Sequence, residues 1–242
     1  NYNLMQAFLG GFLPLLVILG VTCGLVVIEP HLSGTVLLCA LGLVLMLIGG
    51  CRTRYLVALV ALGAIVVYVV IFVLGYEQER IDVWLDPMGV YNRDSVGRNQ
   101  AWQTVQSLFT IGSGGLLGQG PGNSRQKHLF LPEPQNDFIF TIICEEFGFI
   151  GAILVIGLFI AFVWRGFHIA RHAPDKCSSL IAYGLTFKVA LQVILNIAVV
   201  TNSMPNTGIS LPFFSSGGTA LALQIFEMGI ILSISRYSYQ KK

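Results

Sequence analysis

Six stretches of the chain are apolar at almost every position and are long enough to cross a bilayer. A membrane-spanning helix needs about 17–25 such residues, and apolar character on all sides is typical of helices that face lipid. The predicted spans are Phe8–Ile28, Leu32–Gly50, Tyr55–Gly75, Phe138–Trp164, Leu180–Val200 and Thr219–Ile234. The pattern therefore predicts an all-α polytopic membrane protein with six transmembrane helices.

One connection, between the third and fourth apolar runs, is far longer than the others. It covers residues 76–137, which exceeds the length of a simple turn. Within it, Gln100–Phe109 has the pattern of a short amphipathic helix, which we expect at the membrane interface because tryptophan is favoured there. The glycine-rich run Gly112–Gly122 lacks the lysine and the spacing of a phosphate-binding loop. Its glycines are expected to permit a tight turn or a close approach to a ligand.

The composition agrees with a membrane protein. Hydrophobic residues make up 55% of the 242 residues and charged residues 11%, whereas a soluble domain is about one quarter charged. The net charge is +2 and no basic stripe carries interleaved aromatic side chains, so we expect no nucleic-acid partner. The five cysteines lie in or beside the apolar runs without paired spacing, which predicts neither a disulfide framework nor a cysteine-based metal site.

The positions of the basic residues predict the orientation. If the apolar runs alternate across the membrane, three cationic segments lie on one side, and the short connections on the other side contain no Lys or Arg. The cationic segments contain Arg52, Arg54, Arg165, Arg171, Lys176, Arg236, Lys241 and Lys242. By the positive-inside rule, that side is cytoplasmic. We therefore expect one membrane domain, residues 1–242, with both termini in the cytoplasm and an extracytoplasmic loop at residues 76–137.

Polar residues recur at helical spacing within the last three apolar runs. The three sets are Asp137, Thr141 and Glu145; Lys188, Gln192 and Asn196; and Gln224 and Glu227. Each set is expected to share one helix face, and Glu146 adds a further carboxylate. The amides either hold helices together, at about 1 kcal/mol or less each, or line a hydrated cavity. Charged groups in a membrane need partners or water, so we predict that Lys188 pairs with Glu145, Glu146 or Glu227.

Ionisable residues are densest where the long loop enters the fourth apolar run. The segment passes through the cations Arg125 and Lys127 and the carboxylates Glu133 and Asp137 before it becomes apolar. A carboxylate at the lip of a membrane helix is a candidate functional group, because such a group is expensive to maintain there.

The start of the sixth apolar run is a second candidate. Ser215, Ser216 and the following glycines precede it. Hydroxyls and backbone N–H groups at a helix N-terminus form a natural anion site, but a serine at this position also serves as an ordinary N-cap. The sequence leaves both interpretations open.

Several segments together resemble the SEDS family, named for shape, elongation, division and sporulation. The main one is GQGPGNSRQKHLFLPEPQNDFIFTIICEEFGFIG, residues 118–151. Three others also match, at Glu29–Gly34, Trp84–Pro87 and Thr207–Gly218. The Pro-Gln-Asn before Asp137 is more similar to the FtsW and SpoVE branches than to RodA. Family members have about ten helices and this chain begins with Asn1, so we expect it to be the last six helices of a truncated or processed product.

The resemblance implies a peptidoglycan glycosyltransferase in the bacterial cytoplasmic membrane that polymerises lipid II at the outer face. It implies partnership with a class B penicillin-binding transpeptidase and with other divisome or elongasome membrane proteins. The family's essential aspartate falls on Asp137, which would act as general base or as a metal ligand.

Undecaprenyl diphosphate would leave, and positive charge would stabilise it. Arg125 and Lys127 are the first candidates for that task, with Lys188 and the Ser215–Gly218 helix start behind them. No cofactor is certain, although a divalent cation, Mg²⁺ or Mn²⁺, held by Asp137 or Glu133 would serve the same end. The alternatives are a lipid II flippase and a non-catalytic scaffold that recruits the transpeptidase.

Overall fold

Every regular element of the structure is helical over the residues that it describes. It is a computed structural model that describes residues 11–28, 32–73, 75, 78–124 and 136–238. The helices are α1 (Leu13–Ile28), α2 (Leu32–Gly49), α3 (Thr53–Tyr68), α4 (Gln78–Leu85), α5 (Pro87–Arg93), α6 (Ser95–Gly114), α7 (Ile139–Arg171), α8 (Lys176–Val200) and α9 (Gly218–Ser238). A short π-helical turn, Val69–Val73, follows α3. The predicted helical class is confirmed.

Within the described ranges, three helices are long and apolar enough to cross a membrane by length and composition. They are α7, α8 and α9, and they contain almost all of the last three predicted spans. The helices α1, α2 and α3 are apolar but shorter, with 16, 18 and 16 residues. Most side chains along the long helices are not buried, as expected where lipid replaces a protein partner. These features are those of a polytopic membrane protein.

The chain forms two compact units, and the three long helices contribute to both. The first unit comprises the described residues within 1–76, 166–188 and 229–242. In it, α1 packs against α2, and α2 contacts α3. A small apolar cluster closes this packing, with Phe12, Met46, Cys51 and Leu56 buried. The first part of α8 lies against the end of α7, where Gly166 leaves space for the Thr186 side chain.

The second unit comprises residues 77–165 and 189–228 within the described ranges. Its core joins the start of α7, the end of α8 and the loop that follows α8. Buried members include Phe138, Phe140, Ile142, Cys144, Val155, Phe159, Val189, Val193, Val200 and Leu211. This core holds the N-terminus of α7 in place, which is where Asp137 lies.

The predicted loop before α7 is largely helical in its described part. The helix expected at Gln100–Phe109 lies inside the 20-residue α6, so the prediction was too short at both ends. Asp94 begins α6, because its carboxylate accepts a hydrogen bond from the Gly97 amide at 2.6 Å. Ala101 and Val105 are fully buried with residues of α4 and α5. This helix therefore packs into the protein over one face instead of only lying at an interface.

The helix α7 is interrupted at Gly148, whose φ of 64° and ψ of −163° are not helical. The glycine-rich segment that follows α6 fills the interruption with backbone hydrogen bonds. Gln119 and Gly120 donate to the carbonyls of Glu145 and Glu146 at 2.9 and 3.0 Å, and Phe149 donates to the Gly115 carbonyl at 2.9 Å. Irregular backbone in a membrane protein needs such internal partners.

The glycines of this segment thus approach another part of the chain. A Cβ at Gly118 or at Gly148 would overlap the backbone of the opposite segment. The sequence predicted a tight turn or a close approach to a ligand, whereas the backbone at Gly118 approaches the interrupted helix.

We predict that Gly148→Ala destabilises the protein by more than about 2 kcal/mol, because this region of φ and ψ is almost restricted to glycine and the added methyl group meets backbone atoms. Gly157→Ala is the matched control, since no atom lies within 4 Å of a Cβ at Gly157. Thermal unfolding of the detergent-solubilised protein measures both. Equal melting temperatures for the two variants would contradict the described interruption.

Candidate functional site

Asp137 lies on the wall of a cavity, two residues before the start of α7. The cavity has a volume of about 470 Å³. Its lining residues are Asn136, Asp137, Ser210, Leu211, Ser215, Ser216, Gly217, Ala220, Leu221 and Gln224. The side chain of Asp137 is half-buried. Three separate parts of the sequence thus meet around one carboxylate: the entry to α7, the loop after α8 and the first turns of α9.

The buried amide of Asn196 fixes the backbone at Asp137. Its Nδ2 donates to the carbonyl oxygen of Asp137 and to that of Ile209, both at 2.7 Å. The Asn196 side chain is fully buried, so these two bonds are not exchanged with water. One side chain of α8 therefore holds the entry to α7 against the loop after α8. Of the two interpretations of this amide, the structure supports the one in which it holds segments together.

Gly208 brings the loop backbone next to the Asp137 carboxylate. A Cβ at Gly208 would lie 3.4 Å from Asp137 Oδ2. The φ of Gly208 is 65°, in the left-handed region that favours glycine. The loop thus passes close to the carboxylate at a residue that has no side chain.

Both candidate serines bind Asn136, the residue before Asp137. Ser215 Oγ donates to the Asn136 carbonyl at 2.7 Å, and Ser216 Oγ donates to Asn136 Oδ1 at 2.5 Å. Each hydroxyl has a single proton, which is therefore committed to Asn136 in this arrangement. The serines tie the start of α9 to the entry of α7, a role that neither of the two predicted interpretations included.

Gln224 also fixes the loop that borders the cavity. Its Oε1 accepts a hydrogen bond from the Phe213 amide at 2.8 Å. Phe213 has a φ of 66°, which is uncommon for a residue with a large side chain. The Phe213 ring packs edge-on against Phe162, with 5.9 Å between the ring centroids. The loop conformation at the cavity is thus set by one polar and one aromatic contact.

The remaining members of the Asp137 stripe lie inside the protein and do not line this cavity. Thr141 Oγ1 donates to the Phe138 carbonyl at 2.7 Å and is fully buried. The Glu145 carboxylate is 1% exposed and accepts a hydrogen bond from Ser124 Oγ at 2.5 Å. Glu145 therefore anchors the far end of the glycine-rich segment, close to the interruption of α7.

Other predicted site residues are distributed as follows. Arg125, Lys127 and Glu133 lie outside the described residues. Lys188 belongs to the first unit, while Glu146, Gln192 and Glu227 belong to the second. The proposed pairing of Lys188 with a glutamate stays a prediction. Gln192 Oε1 is buried without a hydrogen-bond partner among the described residues.

The described residues contain no group of three or more His, Cys, Asp or Glu side chains placed to hold a metal ion. The described cavity wall contributes a single carboxylate, that of Asp137. The described residues therefore form no protein cage for a metal. Magnesium sites, by contrast, often use only one or two carboxylates together with substrate phosphates.

Sequence reasoning missed Asn136, Ser210 and Gly208. Asn136 had a signal, because it directly precedes the candidate carboxylate. Gly208 and Ser210 lie in the family-like segment Thr207–Gly218, but their proximity to Asp137 depends on how this separate loop folds back.

The profile of the FtsW, RodA and SpoVE family, described as a cell cycle protein family, matches residues 1–240. Stage V sporulation protein E of Bacillus subtilis is 40% identical over 234 residues, which cover 97% of this chain and 62% of that protein. The probable peptidoglycan glycosyltransferase FtsW of Trichlorobacter lovleyi is 37% identical, with 93% of this chain and 58% of that protein covered. The chain thus spans about three fifths of the length of these relatives.

Two solved structures are also similar. One is a peptidoglycan synthase complex that coordinates polymerization and crosslinking, with a TM-score of 0.74 and 27% identity, covering 96% of this chain and 63% of that one. The other is a variant of the rod shape determining protein RodA of Thermus thermophilus, with a TM-score of 0.57 and 26% identity, covering 90% and 54%.

We predict that Asn196→Leu destabilises the protein, because the part-buried carbonyl of Asp137 and the buried carbonyl of Ile209 lose their donor, at a cost of up to about 1–3 kcal/mol each. Ile194→Leu on the same helix is the control, since Ile194 is 62% exposed. Thermal unfolding in detergent compares the two variants. If Asn196→Leu melts at the same temperature as Ile194→Leu, the two hydrogen bonds of the Asn196 amide do not hold these segments together.

Proposed function

This chain belongs to the FtsW, RodA and SpoVE family of cell cycle proteins, and on that premise we propose that it contains the catalytic region of a peptidoglycan glycosyltransferase. The substrate is lipid II, and the product is a glycan strand. Relatives that match more than nine tenths of the chain are named as probable peptidoglycan glycosyltransferases. The observation that carries the proposal is the position of Asp137, a half-buried carboxylate on a cavity wall whose backbone is fixed by Asn196.

Asp137 acts as the general base of this reaction. It takes the proton from the 4-hydroxyl of the acceptor sugar while that oxygen attacks the anomeric carbon of the donor. The bond from the anomeric carbon to the diphosphate breaks, and undecaprenyl diphosphate leaves with inversion at that carbon. Because the donor brings its own charged leaving group, the reaction needs no second carboxylic acid of the kind that glycoside hydrolases use.

A base must be held where the proton is transferred, and the environment of Asp137 is suited to this. The Asn196 amide holds its carbonyl, the two serine hydroxyls hold the preceding residue, and Gly208 lies near its carboxylate. Since the lining of the cavity contains both polar groups and the apolar Leu211 and Leu221, it suits a sugar joined to a lipid.

Stabilisation of the departing diphosphate requires positive charge. We assign this to Arg125 and Lys127, which lie in sequence between the glycine-rich segment and Asp137. Lys188 and the backbone N–H groups at the start of α9 are further candidates. A divalent cation, Mg²⁺ or Mn²⁺, held by Asp137 or Glu133 would also stabilise the diphosphate. No step is assigned to the metal, because the described residues form no cage for it.

The protein crosses the bacterial cytoplasmic membrane with six spans in this proposal, α1 to α3 and α7 to α9, within a single membrane domain of residues 1–242. Both termini lie in the cytoplasm, since the cationic connections are there. The segment 76–137 and the Asp137 cavity then face outward, where lipid-linked sugars are polymerised.

The partner that we propose is a class B penicillin-binding transpeptidase, together with other membrane proteins of division or elongation. This partnership is supported by the similarity of the chain to a synthase complex that coordinates polymerization and crosslinking. A flippase and a non-catalytic scaffold are the competing functions. The position of Asp137 on a cavity wall at the entry to α7 favours the enzyme.

The decisive experiment is lipid II polymerisation by the full-length protein with its transpeptidase partner. We expect Asp137→Asn to lower the rate by at least about 100-fold, because general-base catalysis contributes roughly 10²–10⁴. Asp82→Asn, an exposed acidic position on α4, should retain the wild-type rate.

Equal polymerisation by the Asp137→Asn variant would exclude the catalytic assignment. Absence of polymer from the wild type, together with transfer of lipid II across vesicle membranes, would identify a flippase instead.

A further inference from the structure

The segment after α8 is attached to the helices α4 and α6 at several points. Ser107 Oγ donates to the Val200 carbonyl at 2.7 Å. Asn202 Nδ2 donates to the Trp84 carbonyl at 3.1 Å. Both bonds join residues that are more than 90 positions apart in the sequence. The position of this segment therefore depends on α4 and α6 as well as on α8.

Asn206 is the last residue of these attachments before the candidate site. Its Nδ2 donates to Gln103 Oε1 on α6 at 3.2 Å, and its carbonyl accepts a hydrogen bond from Arg80 on α4 at 3.3 Å. Its Oδ1 accepts a hydrogen bond from the Gly208 amide at 3.2 Å. One side chain thus contacts both α6 and the glycine that borders the Asp137 carboxylate.

We propose that Asn206 is a positioning residue for Asp137, through which the position of α6 determines where Gly208 lies against the carboxylate. Gly208 contributes only backbone atoms there, so its placement depends on the hydrogen bonds of its neighbours. This inference rests on the proposed function of Asp137. Gln103 is the residue of α6 that holds Asn206, and it does not line the cavity, so a substitution there changes this contact without changing the cavity wall.

Substitutions at Gln103 can either remove or retain its hydrogen bond with Asn206. Gln103→Met keeps the length of the side chain and removes the acceptor, whereas Gln103→Glu keeps an acceptor for Asn206 Nδ2. We expect Gln103→Met to lower kcat for lipid II polymerisation about tenfold with KM within about twofold, as for the loss of one hydrogen bond. Gln103→Glu should remain within about twofold of the wild type, and so should Gln100→Met, the same substitution at an exposed position of α6.

Combined variants test whether the residues act as one unit. Asn206→Ala also removes the bond to the Gly208 amide, so it should lower kcat at least as much as Gln103→Met does. The double variant should be no slower than Asn206→Ala alone, since contacting residues are not additive. A multiplied loss, or a wild-type kcat for Gln103→Met, would overturn the proposal.

Hydrogen exchange of the full-length protein provides a readout that does not depend on activity. We expect faster exchange in the peptide that contains Gly208 for Gln103→Met, and unchanged exchange for Gln103→Glu and Gln100→Met. If the wild type polymerises no lipid II, the proposed function fails and exchange alone decides the coupling. Faster exchange in Gln103→Met then supports it, and equal exchange overturns it.

Discussion

The two hydrogen bonds of the Asn196 amide are the constraint on which the candidate site depends. They join three segments that share no regular element: the entry to α7, the end of α8 and the loop before α9. In a membrane protein, such bonds matter because apolar side chains gain little by leaving lipid for one another. The paired bonds to Asp137 and Ile209 select one arrangement, and the serine bonds to Asn136 complete it.

The interruption of α7 follows the same physical rule at a second place. Helices dominate membrane proteins because they satisfy their own backbone groups. An interrupted helix must find other partners, and here the glycine-rich segment provides them. Glu145 and Ser124 add a side-chain bond at the end of that segment. The glycine-rich segment and the interrupted part of α7 are therefore held together by backbone hydrogen bonds.

The sequence predicted the helices well because a lipid environment demands long apolar runs, which are visible without any tertiary information. It also marked Asp137 as a candidate, since a carboxylate at the end of such a run is unusual, and this residue lines a cavity in the structure. It did not predict the interruption at Gly148, because a glycine inside an apolar run does not by itself mark a break. Nor did it predict that Ser215 and Ser216 bind Asn136, since that depends on the return path of the loop after α8. The buried environment of α6 was missed because its polar and apolar residues also fit an interfacial helix.

We propose that lipid II binds in the cavity beside Asp137, at the outer face of the membrane. Chemical labelling of a cysteine at Ser210, a half-buried position on the cavity wall, tests it directly in the full-length protein. With the Ser210→Cys variant in cells or oriented vesicles, a membrane-impermeant maleimide added outside should label the new thiol beyond the wild-type background. Lipid II should slow that labelling. Rapid labelling that lipid II leaves unchanged, or labelling only from the cytoplasmic side, would contradict the account.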